Sequence, residues 1–418
     1  MALSSRIVQL STQIQDNTAE VDAYLLANNI VSPSLDASCP PVLDLPPEVS
    51  AKRDAALEAM DELQQLLRGP VGTIYTQVTD HTSLVSLHAA CRFNMPSTFP
   101  PGSTSTIPEI AKASNMHPSD AERVIRHGIA HHLFKEPERG VIAHSATSKA
   151  LAVVPWLREW TLSGLNTMWP GASRLVDMME RWPASQEPNE TAFSLAHNTD
   201  SAFFEELAKD GRKAKIFADG MTFFLNMPQM SIVHAVEGYD WSQHSFGTIV
   251  DVGGSHGSIA LSLANIFPAM KVIVQDRPEV IADAPKDAKP GQVEFQVHDF
   301  FSEQPVKDAD VYFYRWIFHD WSDKYCVKIL RNLIPALKKS ARVVLMDSVV
   351  PEPGVLTPYQ ERPVKLFDMV MKVLFNAKER NETDWRELVQ EADERFRVVD
   401  VRRPVGSQLG IVVVEWEG

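Results

Sequence analysis

A glycine-rich loop holds the first residues whose types and spacing could do chemistry. Asp251 lies near the end of an apolar run, Gly253, Gly254 and Gly257 follow it, and a helical segment begins at Ser258. Glycines at a strand-to-helix turn let a ligand approach the backbone closely. The dinucleotide fingerprint GxGxxG is missing because serine occupies positions 255 and 258. A carboxylate at this place repels phosphate and attracts cations, which indicates the sulfonium ligand S-adenosylmethionine.

Two further acids follow successive apolar runs. Asp276 follows the run VIVQ and could accept both ribose hydroxyls. Asp299 follows EFQVH and could accept the adenine amino group, with Phe300 covering the ring. A lone Asp in such a place is usually a helix cap. Because ligands of open parallel sheets bind outside the carboxyl ends of the strands, three acids at three such ends predict a nucleoside-binding edge.

His319 leaves a fourth apolar run at its carboxyl end, beside the predicted ligand. Methyl transfer from a sulfonium is an in-line displacement, and a phenol with a pKa of about 10 reacts poorly unless a base removes its proton. Histidine suits this task, and a carboxylate is then needed to orient the imidazole. Asp347, which ends a fifth run, and Glu379 are the candidates. Alternatively, His319 caps the next helix and both acids lie on the surface.

From about residue 246, short β-branched runs alternate with helical segments, which predicts an α/β fold with a mostly parallel sheet covered on both faces. The predicted strands are Thr248 to Val252, Lys271 to Gln275, Val293 to Val297, Val311 to Ile317 and Arg342 to Met346. Two final runs, Phe396 to Val401 and Ile411 to Trp416, flank a turn with Gly406 and Gly410 and predict an antiparallel hairpin.

Residues 106–150 predict a winged helix, with two helices followed by a hairpin wing. Such a unit can bind DNA, but this stretch holds six Lys or Arg against five Asp or Glu. A helix that reads a DNA groove needs surplus cations for phosphate contacts. We therefore expect a structural or substrate-capping role and no nucleic-acid partner.

An apolar stripe precedes this region. Leu57, Met60, Leu63 and Leu67 recur every three to four residues on a predicted helix that Gly69-Pro70 ends. The stripe packs either on a second subunit or on its own chain, and the spacing alone favours neither.

Composition bounds the class of protein. A chain of 418 residues predicts two to three domains at about 150 residues each, and a net charge of −14 argues against nucleic-acid or anionic-membrane surfaces. Cys39, Cys91 and Cys326 are far apart and imply neither a disulfide framework nor a zinc site. No run reaches the roughly 18 apolar residues of a membrane span. We expect a cytoplasmic protein with a small-molecule partner, no membrane association and no metal.

Six motifs occur in order: DVGGxxG, QDRPEVI, VHDFF, RWIFHDWSD, VVLMDSVVPEPG and NAKER. In combination they resemble the plant and fungal small-molecule O-methyltransferases of the caffeate and flavonoid type, especially fungal secondary-metabolite members. The resemblance implies a Rossmann-like class I methyltransferase domain in residues 201–418. It also implies that residues 1–200 form a helical and winged-helix domain that makes a homodimer and closes over the substrate.

The resemblance also assigns individual residues. It makes His319 the base, held by Asp347 and Glu379; plant members commonly have Glu at position 347, so the reach of this Asp is shorter. Besides Asp251, the cofactor contacts that it implies are Phe217, Met221, Gly253, Gly254, Gly257, Asp276, Arg277, Asp299, Phe300 and Arg315. Candidates to line the acceptor pocket, which could equally belong to the core, are Trp169, Met369, Phe375 and Asn376.

These features predict transfer of a methyl group from S-adenosylmethionine to a phenolic or enolic hydroxyl of a small secondary metabolite. A second hypothesis keeps the fold and the cofactor but makes the enzyme a pericyclase or dehydratase, in which the sulfonium acts as a fixed positive charge. A third hypothesis, a DNA-binding regulator, is disfavoured by the charge of the winged helix.

Overall fold

The computed structural model describes residues 4–285 and 289–418, and the chain divides into two compact units. The first unit comprises the residues up to Asn166 together with Lys215–Phe223, and the second comprises Thr167–Ala214 and Phe224–Gly418. The predicted boundary at residue 200 therefore lies inside the second unit. The reason is packing: the Asn376 amide donates to the carbonyls of Glu187 and Glu190, which lie before residue 200.

The helices of the described residues follow in chain order. They are α1 Arg6–Ala27, α2 Pro47–Thr79, α3 Thr82–Arg92, α4 Ile107–Ala113, α5 Pro118–Ala130, α6 Ala146–Val153, α7 Leu157–Ser163, α8 Trp169–Ala172, α9 Leu175–Arg181, α10 Ala192–His197, α11 Phe203–Ala208, α12 Gly211–Leu225, α13 Val233–Gly238, α14 Ser258–Ile266, α15 Pro278–Ala282, α16 Asp323–Leu333, α17 Pro358–Phe375 and α18 Glu382–Ala392. A π-helical turn spans Gly164–Met168, and a 3₁₀ turn spans Phe318–Asp320. Within the described ranges, no helix is long and apolar enough to cross a membrane.

In the two described ranges the strands form three sheets. They are β1 Thr104–Thr106, β2 Phe134–Glu138, β3 Val141–His144, β4 Thr248–Val252, β5 Lys271–Asp276, β6 Val293–Val297, β7 Val311–Arg315, β8 Arg342–Asp347, β9 Val349–Val350, β10 Arg380–Asn381, β11 Phe396–Arg402 and β12 Gly410–Trp416. The sheet orders are β1-β3-β2, β10-β9 and β11-β12-β8-β7-β4-β5-β6.

The first unit contains the winged-helix arrangement of two helices and a small antiparallel sheet. α4 begins at Thr106, whose hydroxyl accepts from the Glu109 N–H while the Glu109 carboxylate accepts from the Thr106 N–H. This reciprocal capping box satisfies donors that a helix start leaves unpaired. α5 follows, and β2 and β3 form the antiparallel hairpin of the wing. Ile110, Ile125 and Ile142 pack into one buried core beneath them.

The helix that carries the apolar stripe does not end where the sequence predicts. α2 continues through Gly69 and Pro70 to Thr79, with a kink at Gly69, which has φ +68°. Glycine adopts this left-handed conformation without a steric penalty, and proline is tolerated at the start of the next helical segment. The predicted end at Gly69-Pro70 is therefore a bend within a longer helix.

The second unit is built on the seven-stranded sheet, which confirms the predicted mostly parallel sheet with an antiparallel carboxyl-terminal hairpin. β4, β5, β6, β7 and β8 pair in parallel, whereas β12 pairs antiparallel with both β8 and β11. The predicted strand Val311 to Ile317 ends at Arg315, because Trp316 has φ +58° and turns the chain out of the strand.

Successive strand residues point to opposite faces of this sheet, and each face is covered by helices. On one face, Tyr312 and Tyr314 join a buried cluster with Leu330 of α16 and Leu388 of α18. On the other face, Phe313 joins a cluster with the residues of α14. Two buried faces explain why the strands are near-continuous apolar runs.

Replacing Leu330, which is fully buried in the first of these clusters, with Ala tests this core. We expect Leu330→Ala to lower the free energy of unfolding by about 3 kcal/mol because it removes apolar contacts and leaves a cavity. Urea denaturation followed by tryptophan fluorescence measures the change. The matched control is Val405→Ala at an exposed site, which should change stability by less than about 0.5 kcal/mol. Equal stability of the two variants would contradict this packing.

Candidate active site

The carboxyl ends of the parallel strands bring the predicted residues to one edge of the sheet. β4 lies between β5 and β7, and β8 lies on the far side of β7. Asp276 and Asp347 are the last residues of β5 and β8, Arg315 is the last of β7, and Asp251 is the last but one of β4. Because parallel strands end on the same edge, the topology places these four side chains in one row.

The glycine loop after β4 is tight. Gly253 has φ +74°, and its N–H donates to the carbonyl of Gln275 at 2.7 Å, which ties the loop to β5. A Cβ on Gly254 would lie 2.5 Å from Oδ2 of Asp251, so only glycine fits over this carboxylate. Gly257 has φ +72° and begins α14 with a Cβ position 3.0 Å from the Phe295 ring. All three glycines therefore have a steric reason to be glycine.

Asp251 is buried, and its Oδ2 has no hydrogen-bond partner. Burial raises the pKa of this carboxyl to about 7, although the nearby Arg315 opposes the rise. An unpartnered buried carboxylate is costly unless a cationic or hydrogen-donating group meets it. The side chain thus has the environment of a ligand contact.

Asp276 and Arg277 differ in surroundings. The Asp276 carboxylate accepts from the N–H of Ser255 at 2.9 Å and from the N–H of Arg277 at 2.8 Å, so it fixes the tip of the glycine loop. The Arg277 side chain is exposed and pairs with Glu279 at 3.2 Å. Asp276 therefore contacts the glycine loop, whereas the Arg277 guanidinium pairs with Glu279.

Asp299 lies beyond the end of β6 and is exposed. Its Oδ1 accepts from the N–H of Phe301 at 2.9 Å, which makes it the cap of a local turn. Phe300 is half-buried, with its ring centroid 4.9 Å from that of Phe301 and 6.1 Å from that of Trp321. Asp299 therefore has the capping role that the sequence left open, and the rings of Phe300, Phe301 and Trp321 form an aromatic surface beside it.

Arg315 donates through Nη2 to the carbonyl of Met230 at 2.5 Å, while its Nε is buried without a partner. Burial lowers the pKa of this guanidinium, and the negative charges of Asp251 and Asp347 oppose the shift. Its neighbour Trp316 also has a buried, unpartnered indole N–H. Two donors are thus free at the end of β7.

His319 lies in the 3₁₀ turn that follows β7 and is buried. Its Nδ1 is 3.3 Å from Oε1 of Glu379, and its Nε2 is 3.4 Å from Oδ1 of Asp320. Burial lowers the pKa of His319, but the negative charges of Asp320, Glu379 and Asp347 outweigh burial and raise it to about 9. The Trp316 ring lies 4.3 Å from the imidazole, centroid to centroid. The imidazole is therefore held on two sides by carboxylates.

Asp347 contacts the backbone of this turn. Its Oδ2 accepts from the N–H of Phe318 at 3.0 Å, and its Oδ1 is buried without a partner. Burial raises the pKa of Asp347 to about 7, although the nearby His319 opposes the rise. Of the two acids predicted to orient the imidazole, Glu379 contacts the ring directly, whereas Asp347 binds the backbone of the turn that carries it.

Asp320 is the functional candidate that the sequence reasoning missed. Burial raises its pKa to about 6, and the neighbouring His319 opposes that rise. Adjacent side chains normally diverge, so the position after His319 gave no reason to expect a contact. The contact exists only in the folded 3₁₀ turn, and no residue pattern in the sequence signals it.

The remaining candidates lie elsewhere. Phe217 and Met221 belong to the part of α12 that is in the first unit. Phe375 is buried against Phe203 and Phe204, which is the core alternative that the sequence left open. The structure places the other three pocket candidates as follows: Trp169 is half-buried in α8, Met369 is exposed on α17, and Asn376 donates to the carbonyls of Glu187 and Glu190.

The edge of the sheet fits a ligand that carries both cationic and accepting groups. Its buried and unpartnered acceptors are oxygens of Asp251, Asp347 and Glu379, and its free donors are Arg315 and Trp316. Four carboxyl groups, those three and Asp320, accompany two cationic side chains, Arg315 and His319. A sulfonium with an amino-acid tail supplies the missing positive charge, donors and acceptors. Within residues 4–285 and 289–418, no group of three His, Cys, Asp or Glu side chains could hold a metal ion.

Comparisons with known proteins agree with this geometry. Residues 181–394 match the O-methyltransferase domain family. The chain is 38% identical to the grayanic acid biosynthesis cluster O-methyltransferase of Cladonia grayi, over 99% of this chain and 88% of that protein. It is 34% identical to the chlorophenol O-methyltransferase of Trichoderma longibrachiatum, over 99% of this chain and 91% of that protein.

Among solved structures, OxaC in complex with sinefungin and meleagrin has a TM-score of 0.76 and 23% identity. The alignment covers 97% of this chain and 99% of OxaC, and it shows the same fold. From the sheet, the family match and the full-length relatives, this chain belongs to the O-methyltransferase family.

Proposed function

We propose that this O-methyltransferase moves the methyl group of S-adenosylmethionine to a phenolic or enolic hydroxyl of a small secondary metabolite, with His319 as the general base. The observation that carries the proposal is the buried imidazole between Glu379 and Asp320, in the turn after β7, whose neighbouring strand β4 carries Asp251 and leads into the glycine loop. S-adenosylmethionine supplies an electrophilic methyl group on a sulfonium. Asp251 and Arg315 are the side chains that we propose hold its amino-acid end.

The imidazole has one nitrogen for each task. Nδ1 faces Glu379, which stabilises positive charge on the ring and fixes its orientation. Nε2 lies 3.4 Å from Oδ1 of Asp320, and this is the nitrogen that we propose accepts the hydroxyl proton of the substrate once the ring is neutral. Removal of that proton converts a weak nucleophile into a phenolate or enolate as the oxygen–methyl bond forms.

The raised pKa of His319 has a consequence for this mechanism. At about 9 the imidazole of the unliganded protein is protonated at neutral pH, and a protonated ring is no base. Two of the acids that raise this pKa, Glu379 and Asp347, also have buried unpartnered oxygens, and a cationic ligand near them would partly neutralise their charge. Binding of the sulfonium should therefore lower the pKa of His319 and prepare the ring to take a proton.

A phenolic acceptor is favoured by relatives: the Trichoderma relative is named a chlorophenol O-methyltransferase. We also propose that the enzyme is a homodimer, for the reason given below, and that it is cytoplasmic.

All three cysteines are free, which suits the reducing conditions of the cytoplasm. The winged helix lacks the surplus of positive charge that DNA binding needs, so we propose no nucleic-acid partner.

The homodimer proposal rests on an exposed apolar face of α2 beyond its kink. Val71, Ile74, Tyr75 and Val78 are exposed at helical spacing, together with Leu67 just before the kink. Residues 69–79 contain no charged side chain. In a chain with a net charge of −14, an uncharged face allows two copies to meet without strong repulsion. Such exposed patches mark interaction sites.

The base is tested with His319→Ala and Glu379→Gln, using a chlorophenol as the first acceptor and then a phenolic panel. We expect His319→Ala to lower kcat by about 100- to 10,000-fold, since general-base catalysis contributes that much, and Glu379→Gln to lower it less. Calorimetry with S-adenosylhomocysteine should give unchanged affinity. Loss of S-adenosylhomocysteine binding together with normal turnover would contradict the assignment of His319 as the base. Mass spectrometry identifies the reaction: a methylated product supports methyl transfer, whereas an isomer or a dehydrated product would show that the enzyme catalyses a cyclisation instead.

The shift of the imidazole pKa is tested by NMR titration of histidine-labelled protein. The His319 signal, identified by its absence in His319→Ala, should titrate well above the ordinary value of about 6.5 in the free protein. S-adenosylmethionine should lower this pKa more than S-adenosylhomocysteine does, because only the former carries the sulfonium charge. Equal pKa values with the two ligands would contradict a neutralising role of the sulfonium.

The dimer is tested by sedimentation of a Val71→Glu, Tyr75→Glu double variant. We expect the wild type to sediment as a dimer at micromolar concentration and the variant as a monomer, because two buried carboxylates without partners disfavour the interface. The control is Val405→Glu at an isolated exposed site, which should remain a dimer. A monomeric wild type would refute the proposal.

A further inference from the structure

Arg380 has a fully buried charged side chain that the mechanism above does not use. Arg380 directly follows Glu379 in the chain, and its side chain has no solvent exposure. Nη1 donates to the carbonyl of Phe318 at 2.9 Å, and Nη2 donates to the carbonyl of Trp321 at 2.9 Å. A charged group is buried in this way only when its donors are well satisfied.

The two carbonyls lie on either side of His319 and Asp320. One planar group therefore closes both ends of the 3₁₀ turn Phe318–Asp320. Arginine is suited to this because its fork presents several donors in a fixed plane, whereas lysine offers a single point of charge. The guanidinium thus limits how far the backbone of His319 can move.

The guanidinium is itself held in place. Asp323 Oδ1 accepts from Nε at 3.0 Å and from Nη2 at 2.7 Å, and the Trp385 ring centroid lies 5.3 Å from the guanidinium carbon. Cys326 Sγ donates to the same carbonyls of Phe318 and Trp321 at 3.3 Å each. Asp323 and Cys326 lie on the first turn of α16, so the clamp connects the 3₁₀ turn to that helix.

The same short segment also supplies the partner of the imidazole. Glu379 precedes Arg380, and β10, which Arg380 begins, pairs in parallel with β9 just after Asp347. The side chain of Glu379 contacts the ring while the side chain of Arg380 holds the backbone on both sides of it. Two consecutive residues thus contact the imidazole, with Nδ1 3.3 Å from Glu379, and the backbone that carries it.

We propose that Arg380 is a positioning residue for methyl transfer, which holds the turn Phe318–Asp320 so that the His319 imidazole meets both Glu379 and the substrate hydroxyl. The proposal rests on the assignment of His319 as base under the proposed function. It differs from a purely structural salt bridge because it requires that loss of Arg380 disturb the imidazole in a protein that remains folded.

The test compares Arg380→Met and Arg380→Lys with a matched control, Arg331→Met. Arg331 likewise donates to two backbone carbonyls, those of Ala392 and Glu391, but away from the 3₁₀ turn. With a chlorophenol, or the best acceptor of the phenolic panel, we expect Arg380→Met to lower kcat by about 100-fold, as misplacement of a reacting group by about 1 Å does. Affinity for S-adenosylhomocysteine should be unchanged, Arg380→Lys should restore part of kcat, and Arg331→Met should have normal kcat.

A second readout needs no acceptor. In histidine-labelled Arg380→Met, the His319 NMR signal should shift and its pKa should move towards about 6.5, because the contact with Glu379 loosens. Should Arg380→Met fail to fold, Asp323→Asn loosens the same clamp with less change in volume and should give the same shift. An unchanged His319 signal and unchanged kcat in a folded variant would overturn the proposal.

The two assignments fail in distinguishable ways. If His319→Ala retains full turnover, the base assignment fails whatever Arg380 does. If His319→Ala is inactive but Arg380→Met is fully active, His319 stays as the base and the positioning role of Arg380 is refuted. Loss of kcat in Arg331→Met to the same degree would also refute it, since the effect would then follow from general destabilisation.

Discussion

The structure depends on one constraint at the carboxyl edge of the sheet: an imidazole is buried among more negative charge than the protein itself balances. Asp320, Asp347 and Glu379 accompany His319, and Asp251 accompanies Arg315, so that four carboxyl groups oppose two cations, in addition to the ion pair of the buried Arg380 with Asp323. Several of their oxygens have no hydrogen-bond partner. In isolation this arrangement costs stability, because buried carboxylates must either find a cation or take up a proton. Burial raises the pKa of Asp251 and of Asp347 to about 7, which favours the second course. A cationic ligand offers the first course, which couples the binding of the cofactor to the protonation state of the base.

The rest of the second unit makes this cluster possible. Two buried faces of the sheet fix the strands, and the parallel order brings four strand ends to one edge. Trp316 then takes a left-handed conformation, which costs energy for a residue with a large side chain. That turn ends β7 and starts the 3₁₀ segment, so the imidazole lies across the strand end instead of continuing along it. The packing energy of the sheet thus offsets the local strain and the local charge.

Sequence reasoning succeeded where local chemistry and periodicity are sufficient. The apolar runs locate the strands, and position at a strand end is enough to bring the glycine loop, Asp276 and His319 to one edge of the sheet, while the roles assigned to them stay predictions. It failed where a single backbone angle decides. The extension of β7 to Ile317 is reversed by one positive φ at Trp316, and the break at Gly69-Pro70 becomes a kink because glycine allows the helix to resume. The contact of Asp320 with the imidazole depends on a 3₁₀ turn that periodicity cannot reveal. The assignment of residues 167–200 to the second unit depends on long-range contacts, such as the hydrogen bonds from Asn376 to the carbonyls of Glu187 and Glu190.

The side chain at position 347 illustrates how work is divided within such a site. An aspartate there reaches the N–H of Phe318 and goes no further, so it anchors the backbone that precedes the imidazole. Plant members of the family commonly have a longer glutamate at position 347, and the resemblance implied that the acid at this position holds the imidazole of His319. With the shorter acid, ring orientation passes to Glu379 on one nitrogen, with Asp320 near the other, while Asp347 and Arg380 hold the chain on each side. Carboxylates therefore meet the ring at both nitrogens, and their charge favours the protonated imidazole in the unliganded protein. In the proposed mechanism the ring can act as a base only when a cationic ligand offsets part of that charge, so the acids that orient the imidazole also couple its proton affinity to the presence of the methyl donor.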